Sequence, residues 1–168
     1  MAEGAGNSIV VGVDGSQASL AALRWAAAQA RSTHLEVVAV HAWERAGAGF
    51  APYAPAPVRP TTAEQRAEAA HVLAGAVRTV FGPDPGGAVR QVVREGPPAR
   101  VLLEQARGAL LLALGHGIGV QRDLPALGAV GRACVRAATV PVVTVPYGPP
   151  ATLLKAVGMS PGPRRGAA

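Results

Sequence analysis

Two stretches of this chain combine residue types that could do more than connect secondary structure. The first is Val11-Gly12-Val13-Asp14-Gly15-Ser16, where a carboxylate directly follows an apolar run. A carboxylate at the end of a buried strand can accept hydrogen bonds from a ribose hydroxyl or an adenine amine. The same Asp-Gly pair is also common turn chemistry, with the side chain bonding its own backbone. The second is the glycine-rich run from Gly115 to Gly131, which also holds Gly117, Gly119 and Gly128 and leads into a candidate helix. Glycines ahead of a helix N-terminus let backbone N–H groups approach a phosphate, and the helix dipole favours the negative charge. In a chain with 21 glycines, such a cluster also arises as a plain connection.

The remaining polar singletons read more simply. His41 ends an apolar run and His116 sits in the glycine run, but neither has the further ligands a metal ion needs, so no structural metal is expected. Cys134 is the only cysteine, which permits no internal disulfide and reads as a small buried hydrophobe. Ser16 lacks a Gly-x-Ser-x-Gly elbow and reads as a helix N-cap rather than a nucleophile. No Walker lysine, catalytic base or acidic metal cluster accompanies the glycine run. A binding protein is therefore expected rather than an enzyme, with a weak ATPase activity left open.

The elements that must position these residues follow from two alternating hydrophobic periods. Residues 9–13, 35–42, 89–93, 109–114 and 140–145 are short apolar runs bounded by turn residues and read as strands. Leu20, Leu23, Ala27 and Ala30 recur at helical spacing over 17–31. Thr61 and Thr62 offer overlapping capping boxes to a second helix, whose stripe Ala70, Leu73, Val77 and Val80 ends at Gly82-Pro83. Pro98 opens a third helix over 98–107, and 129–138 reads as a fourth. Strands alternating with helices need crossover connections, so the expected fold is α/β, a five-stranded parallel doubly wound sheet with helices on both faces. Ligands bind such sheets outside the strand carboxyl ends, where the strand order reverses. If the first and fourth strands flank that reversal, the turn after Val13 and the run after Leu114 face each other.

Composition bounds the rest. With 168 residues, 49% hydrophobic and 15% charged, the chain suits a single globular domain. No apolar run approaches the roughly 18 residues of a spanning helix, and no leader pattern opens the sequence, so a cytoplasmic protein without a membrane partner is expected. Residues 1–7 read as a disordered N-terminus, 45–60 as a proline-rich loop within the domain, and 148–168 as a flexible tail. The net charge of +6 is uneven: from Arg122 onward six basic residues face the single acid Asp123. That surface is either simply solvated or suited to an anionic partner. At 4%, aromatic residues are too few for base-stacking platforms, so nucleic acid is not an expected partner.

Four segments carry a resemblance. They are Ile9-Val-Val-Gly-Val-Asp-Gly-Ser16, Val40-His41-Ala42, Val93-Arg-Glu-Gly-Pro-Pro-Ala-Arg-Val-Leu-Leu-Glu104 and Val140-Pro-Val-Val-Thr-Val-Pro146. In this order and spacing the chain resembles the universal stress protein family over residues 8–147. Trp25 and His41-Ala-Trp-Glu44 are similar to its actinobacterial branch. The resemblance implies strand order 3-2-1-4-5 and a homodimer formed through the last strand, 140–145. It also implies ATP binding through Gly-x-x-Gly, nine residues, then Gly followed by Ser or Thr. Gly115 and Gly128 match the first and third glycines. Ile118 and Ala129 stand where the second glycine and the hydroxyl belong.

Ile resists a positive φ and its branched Cβ obstructs a phosphate, while Ala129 keeps only its N–H. One lost charge-assisted bond is worth about 1.5 to 3 kcal/mol, roughly ten- to a hundredfold in affinity. Gly117 and Gly119 flank the altered position and could restore part of the cradle by a one-residue shift, and Arg122 could add charge. The nucleoside side is better kept: Asp14 matches the residue that contacts ribose or adenine, Gly12 and Val13 line its turn, and Ala42 stands where a backbone group reads the adenine edge. Gly128, Ala129 and Val130 complete the implied set at the helix start. The function implied is a stress-response regulator that binds an adenine nucleotide, AMP or cyclic AMP as well as ATP, with ATP held weakly. The alternative is a dimeric interaction protein of the same fold that binds no nucleotide and acts on a protein partner.

Overall fold

Strands that are apolar on both sides need cover on both sides, and helices packed on each face of the sheet supply it. The computed structural model describes residues 6–45, 60–117 and 127–147. In chain order the main elements are β1 (Ser8–Gly12), α1 (Gln17–Thr33), β2 (Glu36–Trp43), α2 (Thr62–Phe81), β3 (Val89–Glu95), α3 (Pro98–Gln105), β4 (Leu111–Gly117), α4 (Ala129–Ala137) and β5 (Val142–Tyr147). All strand pairs are parallel and the order is β3-β2-β1-β4-β5, as the resemblance implies. The order therefore reverses between β1 and β4.

The twofold period of the strands divides the core. Ile9, Val11 and Val13 pack with Leu23, Val37, Leu73 and Val77 beneath α1 and α2. Val10 packs on the other face with Val38, Val40, Leu102, Leu112, Leu114 and Cys134, beneath α3 and α4. Local chemistry sets the helix starts. The Ser16 hydroxyl accepts the N–H of Ser19 at 3.1 Å and caps α1. Thr61 and Glu64 form a reciprocal capping box on α2, and the Thr61 N–H and hydroxyl hold the Glu64 carboxyl below its usual range. Pro98 occupies the first turn of α3, and α4 starts after Gly128 without a side-chain cap.

The sequence-based boundaries shift where pairing overrides turn chemistry. β4 starts at Leu111, not 109, and runs on through Gly117, because Gly115, His116 and Gly117 pair with Val145, Pro146 and Tyr147. Gly115 and Gly117 thus belong to a strand and not to a loop. β5 is displaced by two residues from 140–145, since the Leu112 N–H first bonds the Pro141 carbonyl and the ladder follows from there. On α2 the buried stripe is Ala69, Leu73, Ala76 and Val77; Ala70 is exposed and Val80 only half-buried.

One contact fixes how α1 sits on the sheet. A Cβ added to Gly115 would fall on the backbone carbonyl of Ala18, with the Ser19 nitrogen only 2.7 Å away. The first turn of α1 lies directly on the backbone of β4, and only glycine permits it. At Gly117, two residues on, an added Cβ meets nothing within 4 Å. We expect Gly115→Ala to cost more than about 3 kcal/mol in urea unfolding, beyond the ordinary range for overpacking. Gly117→Ala should stay within about 1 kcal/mol of the parent. Similar urea midpoints for the two variants would show that the contact at Gly115 is soft.

Candidate functional site

Because β1 ends while its neighbours continue, a notch opens at the carboxyl end of the sheet. The last β1 pairings are Gly12 with Val40 and Val11 with Ala113, whereas β2 reaches Trp43 and β4 reaches Gly117. A cavity of about 340 Å³ occupies this notch at the reversal of strand order. Gly12, Val13 and Asp14 form one wall, Val40 and Ala42 a second, and Leu114 with Gly115 a third. Pro98 and Leu102 of α3 close one side, and Leu127 to Gly131 bring the start of α4 to the other.

The turn after β1 is tightly specified. The Asp14 carboxylate accepts the Ser16 N–H at 2.9 Å, Gly15 takes φ +83°, and the Asp14 N–H donates to the Ser19 hydroxyl at 3.3 Å. Ser19 in turn donates to the Ser16 carbonyl at 2.9 Å. Partial desolvation pushes the Asp14 pKa up, but the Ser16 hydroxyl and N–H, the Ser19 hydroxyl and the residue's own N–H outweigh it. The net shift is downward, so the group is a carboxylate at neutral pH. The turn-forming and the cavity-lining readings of Asp14 therefore hold together. Its carboxylate shapes the turn while the residue lines the cavity.

Gly12 contributes space. A Cβ there would lie 2.8 Å from Leu114 Cδ2 and 3.1 Å from Leu102 Cδ1, the two leucines that floor the cavity. Opposite, the first-turn N–H groups of α4 lack a side-chain cap and the helix dipole adds positive potential. No lysine or arginine lines the cavity among the described residues. Arg132 stands close by on α4, but its guanidinium donates to the Leu127 carbonyl at 2.6 Å.

Of the residues singled out from the sequence, the structure gathers Gly12, Val13, Asp14, Ala42, Gly115, Gly128, Ala129 and Val130 around this one cavity. Gly117 does not line it and is exposed at the end of β4. Ile118, Gly119 and Arg122 lie outside the described residues, as do 46–59 of the proline-rich loop and the tail 148–168. Sequence reading missed Ser16 and Ser19 as lining residues, and Val40, Leu102, Leu114 and Leu127 as walls. Ser19 could have been found: it lies one helical turn after the Ser16 cap and so faces the same strand end. The apolar walls carry no such signal, since their pattern is that of core.

Cys134 is the fully buried residue of α4, and burial pushes its thiol pKa up, which makes it inert. Among the described residues no group of three or more His, Cys, Asp and Glu could hold a metal ion, and no helix is long and apolar enough to cross a membrane.

Known proteins share this fold. The profile of the universal stress protein family matches residues 7–146. A universal stress protein of Mycolicibacterium smegmatis is 33% identical over 138 residues, which are 82% of this chain but only 45% of the relative's own length. Among solved structures, a universal stress protein in complex with cAMP aligns with a TM-score of 0.50 at 24% identity, covering 86% of this chain and 99% of that one. The universal stress protein from Archaeoglobus fulgidus in complex with dAMP aligns with a TM-score of 0.52 at 23% identity, covering 82% and 96%. At these identities the two structures speak for the fold. Together with the sequence match across nearly all the described elements, they place the chain in the universal stress protein family.

Proposed function

We propose that this chain is a stress-response protein that binds an adenine nucleotide in the notch above β1, and that it favours AMP or cyclic AMP over ATP. The observation that carries this reading is the polarity of the cavity. A carboxylate, Asp14, and the backbone edge of Ala42 stand on the side of β1 and β2, and an uncapped helix start stands on the side of α4. A nucleoside offers donors to the first side and a phosphate offers charge to the second. The preference follows from what the second side lacks. Ala129 has no hydroxyl, and no lysine or arginine lines the cavity among the described residues. A helix start contributes about 0.3 to 1 kcal/mol toward an anion, which suits one phosphate better than three. The solved relatives holding cAMP and dAMP support monophosphate ligands in this fold.

Assembly is part of the same proposal. β5 is an edge strand. The Leu112 N–H to Pro141 carbonyl bond sets the alternation, so the backbone groups of Val142, Thr144 and Pro146 point away from β4. Pro146 has no N–H to offer, leaving Val142 and Thr144 as the outward donors. A second copy pairing along this edge gives a homodimer centred near Thr144.

Calorimetry with AMP, cyclic AMP and ATP tests the ligand. Tighter binding of ATP than of both monophosphates would overturn the preference, and no heat with any of the three would favour the interaction protein without a nucleotide. Asp14→Ala should weaken AMP roughly tenfold while the chain still folds. Equal affinity would reduce Asp14 to a turn former. Because the folded pKa of Asp14 is lowered, its ionised form stabilises the fold fully above the ordinary aspartate value of about 4, and this stability is lost as pH falls through the folded value. The stability difference between wild type and Asp14→Ala should therefore shrink below about pH 4; a difference independent of pH would show the carboxylate plays no ionic part. For assembly, Thr144→Pro should sediment as a folded monomer while the parent sediments as a dimer, and an unchanged dimer would move the interface elsewhere.

A further inference from the structure

The ladder between β1 and β2 stops early for a specific reason. Its last backbone bond runs from the Val13 N–H to the Val40 carbonyl at 2.8 Å. In a parallel pair, the next bond would join the Ala42 N–H to the Val13 carbonyl. The alternation along β2 confirms the direction. Val40 turns its carbonyl to β1, Trp43 turns its carbonyl away to the Gly96 N–H, and Ala42 shares the orientation of Val40. Yet the Val13 carbonyl is occupied by a side chain, His41 Nδ1, at 2.7 Å. Since a carbonyl only accepts, Nδ1 carries the proton. Ala42, two residues beyond the last bond, lines the cavity instead of extending the sheet.

We propose that His41 is a positioning residue for the nucleoside side of the notch: its Nδ1–H takes the Val13 carbonyl out of the ladder and so leaves the Ala42 N–H free to face a ligand. This rests on the nucleotide reading for its purpose, but not for its geometry. His41 itself lies on the opposite face of the sheet from the cavity, beside Trp43, Glu64 and Glu68, and touches no ligand. It acts at a distance of one peptide unit. The brace holds both walls at once: Val13 precedes Asp14 on one side, and His41 precedes Ala42 on the other. Without the ring, β1 and β2 can zip one step further, and the Ala42 N–H, a backbone donor on the β2 side of the cavity, is spent on the Val13 carbonyl.

The test starts without any ligand. Amide hydrogen exchange on the wild-type full chain should show Ala42 exchanging at least tenfold faster than Val38 and Val40, and nitrogen-detected NMR should show the His41 ring protonated at Nδ1. In His41→Leu the Ala42 amide should become protected as it captures the Val13 carbonyl, whereas a merely structural histidine would lower protection throughout β2. His41→Asn, which keeps a donor at the same reach, should retain the wild-type pattern and remains informative if the leucine variant does not fold. Adenosine and AMP should then bind roughly tenfold more weakly to His41→Leu, with their ratio unchanged because the phosphate side is untouched. A wild-type Ala42 amide as protected as Val40, or a ring protonated only at Nε2, would overturn the proposal even if nucleotides bind. Failure of every nucleotide to bind, with Ala42 unprotected as described, would instead count against the nucleotide reading and leave the brace standing.

Discussion

The first turn of α1 rests on the bare backbone of β4, and the rest of the site depends on that contact. At Gly115 the approach of the Ala18 carbonyl leaves no volume for even a methyl group. Protein interiors pack near crystal density, so such an approach fixes the helix rather than merely allowing it. With α1 seated there, the chain leaving β1 must turn at once to reach the helix start. Asp14, Gly15 and Ser16 make that turn, and Ser19 lies beneath it with bonds to both ends. The glycine that sequence reasoning assigns to a phosphate loop thus acts first through packing. Its presence in the cavity wall is a consequence of how closely the helix comes.

The notch follows from unequal strand lengths around this seat. β1 leaves the sheet at Gly12, while the strands on either side go on to Trp43 and Gly117. Two neighbouring strands that lose a partner between them present unpaired backbone toward each other, and buried unpaired groups of this kind are costly unless something meets them. In the notch, the Val13 carbonyl is met by His41, and the helix start of α4 faces the remainder. The apolar floor of Leu102 and Leu114, brought close by Gly12, gives a flat ring an apolar surface to lie against.

Much of this was legible in the sequence, and the boundary between what was and what was not is physical. Alternating periods carry the α/β class because a strand buried on both faces, such as Val10 and Val11 side by side, cannot belong to a half-exposed sheet. The Asp14 turn was legible because Asp-Gly-Ser has few local solutions. The fate of Gly115 and Gly117 was not, since glycine marks both loops and close approaches, and only the pairing with β5 decides between them. Nor could the role of His41 be read, because the bond to Val13 joins residues 28 positions apart. Leu102 and Leu114 look like core from their spacing and are core; that they also form a wall depends on the missing side chain at Gly12.

The charge distribution adds a last constraint on how a ligand would lie. The basic residues that give the chain its net +6 do not line the cavity among the described residues, where the one ionised side chain is the Asp14 carboxylate. A phosphate placed beside Asp14 would meet like charge in a partly desolvated setting, where screening by salt is weak. At the other end, the α4 start offers N–H groups and a dipole of favourable sign. The two ends therefore cannot be exchanged. In the proposed complex the base and ribose must lie toward Asp14 and Ala42, with the phosphate toward Gly128, Ala129 and Val130. Each further phosphate would have to be met by residues beyond the helix start, and Ala129 offers it a methyl group and no hydroxyl. The proposed selectivity for a short anion would come from the same two features that set the orientation: a fixed negative charge at one end and a bare helix start at the other.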